Sequence, residues 1–325
     1  MEKLSVLQYA GRLVSAPFTL PSLRERQSNL VELTPDTLQV MGILWLPALL
    51  SVSKWEFSWG IDGSQPEMLL SHVPGPPLSF RLRFPGQCDF LINAATGRIG
   101  IEAVEGISAE TIEHLLLDQA LPRVIAQQGN LVVHASCVAI SGEAVLFVGR
   151  SGWGKSTLAA LFHRMGHPSL CDDCTVLDVR SGSAWAIPAY PGLRLYDDSV
   201  EQAFEERPKV SAVSDYSCKR RIALTTSENS AGQALRLRRI FVLGDPAQHV
   251  GPPVILPMTA ADACMALLEH SFRLDPSSRE GSGRLLQLAA RFARTVPVYS
   301  LRFEHDFSQK AQILRSLLAH LTHDD

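Results

Sequence analysis

Charge of neither sign dominates this sequence. Thirty Lys and Arg residues face 33 Asp and Glu, for a net charge of −3, so nothing electrostatic points to nucleic acid or an anionic membrane as a partner. Long apolar runs are missing too: none approaches the roughly 18 residues of a membrane span. The opening residues, Met1-Glu2-Lys3-Leu4-Ser5, lack a basic segment followed by an apolar one, so no secretory signal is expected. Cysteine is scarce, six in 325 residues, too few and too scattered for a disulfide scaffold in so long a chain. These absences point to a cytoplasmic protein with reduced thiols, making no use of nucleic acid or membrane. Internal repeats and low-complexity tracts are also lacking. What remains is a globular composition, 46% hydrophobic and 19% charged, in a chain long enough for one large domain or two smaller ones.

One stretch stands out. Phe147-Val148-Gly149-Arg150-Ser151-Gly152-Trp153-Gly154-Lys155-Ser156-Thr157 reads G-x-x-x-x-G-K-[ST] without a mismatch. The apolar run from Ala144 to Val148 leads into it as a strand. Leu158, Leu161, Phe162 and Met165 follow at i, i+3, i+4 and i+7, a helical stripe that Gly166 ends. Strand, glycine-rich turn and helix are the context a phosphate-binding loop needs. The glycines let successive N–H groups converge on one anion, and the helix adds its unpaired N–H groups and positive dipole end. Lys155 is placed to reach β- and γ-phosphates, and the Ser156 hydroxyl to ligate Mg2+. A chance match in an ordinary turn is the bland alternative; the flanking strand and helix weigh against it. A nucleoside triphosphate is the expected ligand. Arg150 and Trp153 fill variable loop positions, and Trp153 either covers the nucleotide or packs.

Residues 1–105 read as a β-rich accessory region, a candidate for substrate docking. Short apolar runs are punctuated by Pro and Gly: Leu38 to Trp45, Trp55 to Trp59, and Phe80 to Phe84 with period-2 alternation. Phe90 to Ile92, a turn at Asn93 to Gly97 and Arg98 to Ile101 suggest a hairpin. From 106 onward the pattern is that of the phosphate-loop domain. Ser108 caps a helix expected to reach about Gln128, with Gly129 as its stop and Pro122 marking a kink or break. Leu131 to Ile140 reads as one strand, turned at Ser141-Gly142 into the strand feeding the loop. Two antiparallel strands before such a loop differ from the plain βαβ arrangement. Later come strands near Trp185, Arg194, Arg221, Arg236 to Leu243 and Val296 to Phe303. Asp197 to Lys209 and Asp275 to Gly283 read as polar loops. Helices are expected from the Thr259 cap to Glu269, from Leu285 to Arg294 and from Asp306 to about Leu321.

Phosphoryl transfer also needs a metal partner and a group that positions the nucleophile. Asp172-Asp173, just past the loop helix, is the candidate for both, since neighbouring side chains on an extended segment face opposite ways. A solvated turn is the equal alternative on position alone. Cys171-Asp-Asp-Cys174 has C-x-x-C spacing, yet no second Cys/His pair with ligand spacing accompanies it.

Leu131-Val-Val-His134-Ala-Ser, the Gly149–Thr157 loop and Asp172-Asp173 together resemble the HPr kinase/phosphorylase family and its serine-kinase relatives over roughly residues 105–303. The resemblance implies an α/β fold with a P-loop kinase core of HPr kinase type, a mixed sheet, and phosphorylation of a serine hydroxyl on a peptide or protein with ATP and Mg2+. It implies that Asp172 is the base, that Asp173 and Ser156 hold metal, and that His134 lies near the transferred phosphoryl group or the Asp pair. A strand histidine satisfied by core hydrogen bonds is the plainer reading of His134. Basic residues beyond Lys155 are needed at the transferring group; Arg194 and Lys219-Arg220-Arg221 are candidates, Lys219 foremost, each with a surface-charge alternative. The bifunctional enzymes' glycine-containing signature is absent from Ala186 to Leu195. The pattern is similar instead to kinase-only relatives that phosphorylate peptide precursors, including the C-terminal serine of lasso-peptide precursors. A small-molecule kinase using free serine, an HPr-like protein kinase and a non-catalytic ATP-binding sensor are the rivals. The family's best-known members form hexamers, which makes a homo-oligomer an expectation.

Overall fold

The computed structural model describes residues 5–10, 12–16, 24–25, 38–43, 54–60, 66–224, 233–304 and 306–322. The chain divides into two compact units, one of residues 1–128, 212–217 and 273–275, the other of 129–211, 218–272 and 276–325. The expected division at 105/106 differs from this by one helical stretch, for a reason given below.

The described strands of the first unit are β1 (Ser5–Tyr9), β2 (Arg12–Ala16), β3 (Arg24–Glu25), β4 (Leu38–Ile43), β5 (Phe57–Trp59), β6 (Met68–Val73), β7 (Ser79–Phe84), β8 (Cys88–Asn93) and β9 (Ile99–Ala103). They form one sheet in the order β3-β1-β2-β4-β9-β8-β7-β6-β5. Residues 44 and 45 of the expected Leu38 to Trp45 run lie outside the described residues. The alternation read in β7 is physical: Phe80, Leu82 and Phe84 are buried, while Arg81 and Arg83 both bond Asp89 on β8. The β8–β9 hairpin turns where the Asn93 side chain accepts from the N–H groups of Ala95 and Thr96, an Asx turn.

The helix after it is α1 (Ala109–Leu115), a π turn (Leu116–Ala120) and α2 (Leu121–Gln127). Ser108 caps it by accepting from Thr111 N–H at 3.2 Å. Pro122 does not end it: the helical turns run on through a π turn, where the chain widens. Leu121 N–H reaches back to Leu116 O, and Pro122 has no N–H to give to Leu117, whose carbonyl accepts from the Tyr9 hydroxyl. Thr111 and Ser108 also bond Asp215. These partners tie the helix to the first unit, so the second begins only at Gly129.

The second unit runs β10 (Leu131–Val133), β11 (Ala135–Ile140), β12 (Glu143–Val148), α3 (Lys155–Arg164), β13 (Ser169–Cys171), β14 (Thr175–Arg180), β15 (Ser183–Pro188), β16 (Leu193–Leu195), α4 (Asp197–Ala203), β17 (Val210–Ala212), β18 (Arg220–Ile222), β19 (Leu235–Leu243), β20 (Val254–Pro257), α5 (Ala260–Glu269), α6 (Arg279–Thr295), β21 (Val298–Arg302) and α7 (Lys310–Thr322). Its main sheet has the order β10-β14-β15-β19-β12-β11-β13, with β21 on β19 and β20 on β21; β16, β18 and β17 form a small sheet of their own. The sheet is mixed: β12 and β21 run parallel to β19, while β11 runs antiparallel to β12. The β11–β12 turn is Ser141-Gly142, with φ of 53° and 81°, the left-handed pair that a two-residue hairpin of the right twist requires.

Three expectations need correction. Leu131 to Ile140 is two strands, because His134 N–H leaves the ladder to bond His270 O at 2.8 Å. Asp197 to Lys209 is not all loop: α4 forms there, with Asp197 and Asp198 in its first turn and Ser199, Val200 and Ala203 buried, so helix dipole and burial outweigh the polar composition. Helix α6 starts inside the expected Asp275 to Gly283 loop, since Ser278 caps it through Gly281 N–H at 3.0 Å.

Strand β12 reads as a continuous apolar run because it is covered on both faces. On one, Phe147 stacks on Phe162 of α3 and Phe241 of β19 with ring centroids 5.7 and 5.9 Å apart. On the other, Leu146 and Val148 pack with Leu267 and Phe292 of α5 and α6. Among the described residues no helix is long and apolar enough to cross a membrane.

Candidate active site

The loop 149–154 joins the carboxyl end of β12 to α3 as expected. Two glycines have steric causes. A Cβ on Gly149 would come within 3.1 Å of the Leu243 side chain and 3.5 Å of Trp153. Gly154, the residue before α3, sits at φ 97°, where a side chain is strained. No side chain caps α3, so its first N–H groups are left for an incoming group. Lys155 is 5% exposed, and its ammonium donates to the carbonyls of Gly149 and Arg150 at 2.8 and 3.1 Å. Burial lowers its pKa, against the opposing pull of Asp173 and Asp172.

The turn after β13 brings the acidic pair beside this loop. Asp172 is 1% exposed. Its Oδ1 accepts from Ser136 Oγ at 2.5 Å and Ser156 Oγ at 3.0 Å, and its Oδ2 from Arg194 N–H at 2.9 Å. Asp173 stands at φ 74°, an outlier for a residue with a side chain that Asp tolerates better than most. Its Oδ1 meets His134 Nε2 at 2.9 Å and its Oδ2 the Arg194 guanidinium at 3.1 Å. The resemblance groups Ser156 with Asp173; the structure bonds it to Asp172.

Environment separates the two carboxyls. Burial, then the neighbouring Asp173 charge, raises the pKa of Asp172 above the ordinary value. Burial would raise Asp173 as well, yet the Arg194 charge, the His134 bond and the Lys219 charge hold it well below. Two adjacent acids pushed apart in this way, beside a cleft, make the pair a candidate for distinct roles.

Gly152, Gly154, Lys155, Ser156, Thr157, Asp173, Arg194 and Lys219 line one cleft, joined by Leu195, Tyr196, Asp198 and Ser199. Asp172 and His134 are not part of that lining but bond it, Asp172 through Ser156 and His134 through Asp173. Arg194 is buried, its guanidinium 5.0 Å over the Tyr190 ring. Lys219 stands 5.4 Å over Tyr196, whereas Arg220 pairs with Asp197. Arg150 does not join the cleft lining: it pairs with Glu269 at 2.9 Å and lies 5.6 Å over Trp153. Trp153 itself packs against the apolar core. Ser151 is exposed on the loop. Cys171 and Cys174 are buried and held in no disulfide, small residues flanking the pair.

The sequence matches no family model and no curated protein. Among solved structures, the Hpr(Ser) kinase/phosphatase from Coxiella burnetii matches over 59% of this chain and 99% of that one, at 14% identity and a TM-score of 0.31.

Some site residues carry no signal in the sequence. Ser136 is a polar residue inside an apolar strand, which by itself says only that it needs a partner. Asp198 and Ser199 belong to a segment read as loop, and Tyr196 stands just before it. His270 neighbours Lys155 and His134 electrostatically; burial chiefly lowers its pKa to about 4, Glu269 opposing and Lys155, His134 and Arg150 adding to the drop. Only the α5 terminus places it there.

Proposed function

We propose that this protein is an ATP- and Mg2+-dependent phosphotransferase acting on a serine hydroxyl. The observation that carries the reading is the 3.0 Å bond from Ser156 to Asp172, which joins the glycine-rich loop to the acidic pair. A phosphate loop alone binds nucleotide; a loop with a carboxylate on its serine can also hold the metal that phosphoryl transfer requires.

The donor set fits magnesium: Ser156 and Asp172, joined at 3.0 Å, offer hard oxygens. Mg2+ typically takes one or two protein carboxylates and completes its shell with phosphate and water. Held there, the ion would supply positive charge that offsets the charge of the phosphate oxygens. In this reading Ser156 and Asp172 hold the metal, Asp172 kept in place by Ser136 and by Arg194 N–H. Asp173, in the cleft wall and ionised, accepts the hydrogen bond of the acceptor hydroxyl and orients it, exchanging the roles that the resemblance assigns to the pair. An ordinary carboxylate is a weak base, but a loose transition state asks more for positioning than for early proton removal. Lys155, Lys219 and Arg194 supply the positive charge around the transferring group, and His134 steadies Asp173. The acceptor we propose is a peptide serine, such as the C-terminal serine of a lasso-peptide precursor; the family pattern, not the cleft, carries that choice.

The test is to incubate the protein with γ-labelled ATP, Mg2+ and serine-ended peptides, with free serine as a separate arm. Transfer to peptide that falls at least a hundredfold in Asp173→Asn supports the reading. Label on free serine alone identifies a small-molecule kinase. Binding of ATP without transfer to either leaves a nucleotide sensor.

A further inference from the structure

A second cavity lies at the opposite end of β12 from the glycine-rich loop. Glu143, the first residue of that strand, lines it; Val148, the last, is about 17 Å further on at 3.3–3.4 Å per residue. The cause of the cavity is a change of neighbour along β19. That strand pairs antiparallel with β15 at Leu235 and Arg236, then parallel with β21 from Ile240 to Leu243. Between the two sets β15 has diverged and β21 has yet to begin, so the sheet forks. The gap holds about 470 Å³, inside the range of about 300–1,000 Å³ for ligand sites.

Charge decides what could fill it. Arg236 and Arg238 stand two apart on β19 and so on one face. Both line the cavity and approach Glu143, at 3.9 and 3.7 Å. Those distances exceed hydrogen bonding, and one carboxylate faces two guanidiniums, so the three together carry one positive charge in excess. Ser183 and Thr295 add hydroxyl groups to the wall. The Thr295 hydroxyl donates to Arg291 O at 2.8 Å, which leaves its oxygen to accept.

We propose that this cavity binds a free acidic amino acid. Two carboxylates and one ammonium on a short chain are the charge complement of two guanidiniums and one carboxylate. Each guanidinium matches a carboxylate as a planar fork, while Glu143 and the Thr295 oxygen accept from the ammonium. A bare polyanion has nothing to offer Glu143 and meets its charge instead. None of the described residues lining the cavity is aromatic, so a ring ligand finds no stacking surface. The site shares no residue with the nucleotide cleft, and the inference stands apart from the phosphotransferase reading.

Titration calorimetry on the full chain compares L-glutamate and L-aspartate with glutarate, which lacks the ammonium, and with inorganic phosphate. The amino acids should bind at least about tenfold more tightly than either control, and should raise the Tm as ligands of a folded state do. Arg236→Gln, at a side chain 66% exposed, should weaken both amino acids by at least about tenfold. Glu143→Gln should bring glutamate down to the glutarate level. Both variants should match the wild type in ATP titrations, since neither residue lines the cleft. Absence of heat and of a Tm shift with either amino acid at millimolar concentration overturns the proposal. Glutarate or phosphate binding as tightly as glutamate overturns it too, reducing the cavity to a non-selective anion site. So does an Arg236→Gln protein that binds glutamate like the wild type.

Discussion

Arg194 is the residue whose removal tests the electrostatics of the site most directly. Its side chain is 2% exposed and that of Asp173 13%, with 3.1 Å between guanidinium and carboxylate. Replacing Arg194 by Met keeps most of the volume but leaves a nearly buried carboxylate without its main cation. Breaking one side of a buried pair costs about 3–5 kcal/mol. His134 remains at 2.9 Å from Asp173, so the expected loss is near the lower bound, about 3 kcal/mol. For a unit of this size that is a fall in Tm of roughly 6–12 °C. The double variant Asp173→Asn/Arg194→Met should recover most of the loss, because a neutral replacement of both partners removes the stranded charge, and Asn tolerates the left-handed backbone as Asp does.

The pH dependence follows from the same pair. Asp173 is held below its ordinary value, near pH 4, so the unfolded chain takes up the proton first as pH falls. The contribution is complete above the ordinary value and is lost as pH drops toward the folded-state value. The gap between wild type and Arg194→Met should therefore be full at pH 7 and shrink below about pH 4. Urea melts at pH 7 and at pH 3.5 measure both effects. A loss under about 1 kcal/mol at pH 7, or a double variant no more stable than the single one, would refute the stranded-charge argument.

Phe147→Ala removes the ring that stacks between α3 and β19 and should cost about 3–5 kcal/mol in a urea melt; a cost under 1 kcal/mol would mean the core there collapses around the gap. Ser136→Ala withdraws a bond that helps keep Asp172 ionised. The pH midpoint of Mg2+-dependent ATP binding should then move upward, and an unmoved midpoint would place the metal elsewhere. His270, with a pKa lowered to about 4 mainly by burial, should stay neutral down to that pH in an NMR titration of its ring protons. Because the unfolded histidine protonates first, near 6.5, its contribution opposes folding increasingly as pH falls from that value toward 4. A midpoint near 6.5 in the folded protein would contradict the burial.

Local physics explains what was legible beforehand. The β12–loop–α3 unit is encoded by neighbours: an apolar strand, glycines where the backbone turns, and a helical stripe ended by Gly166. The β7 alternation and the Ser141-Gly142 turn are legible for the same reason, since each depends on residues a few positions apart. Where long-range partners decide, composition misleads. His134 breaks a strand because the carbonyl of His270, far along the chain, takes its N–H. Pro122 widens a helix without ending it, and the Tyr9 hydroxyl meets the carbonyl it leaves.

By itself, then, the sequence determined the strand, the glycine-rich loop and the helix of the β12–α3 unit, because these follow from spacing within short segments; position alone left the acidic pair open between a solvated turn and a place beside the loop. Only the tertiary structure decided which carboxylate meets Ser156, which is held ionised by Arg194, and that Ser136 belongs to the site. A pKa or a hydrogen bond is set by what packs within a few ångströms, and the chain brings those groups from β11, the β13 turn, β16 and α3, segments whose separation in sequence leaves no local trace.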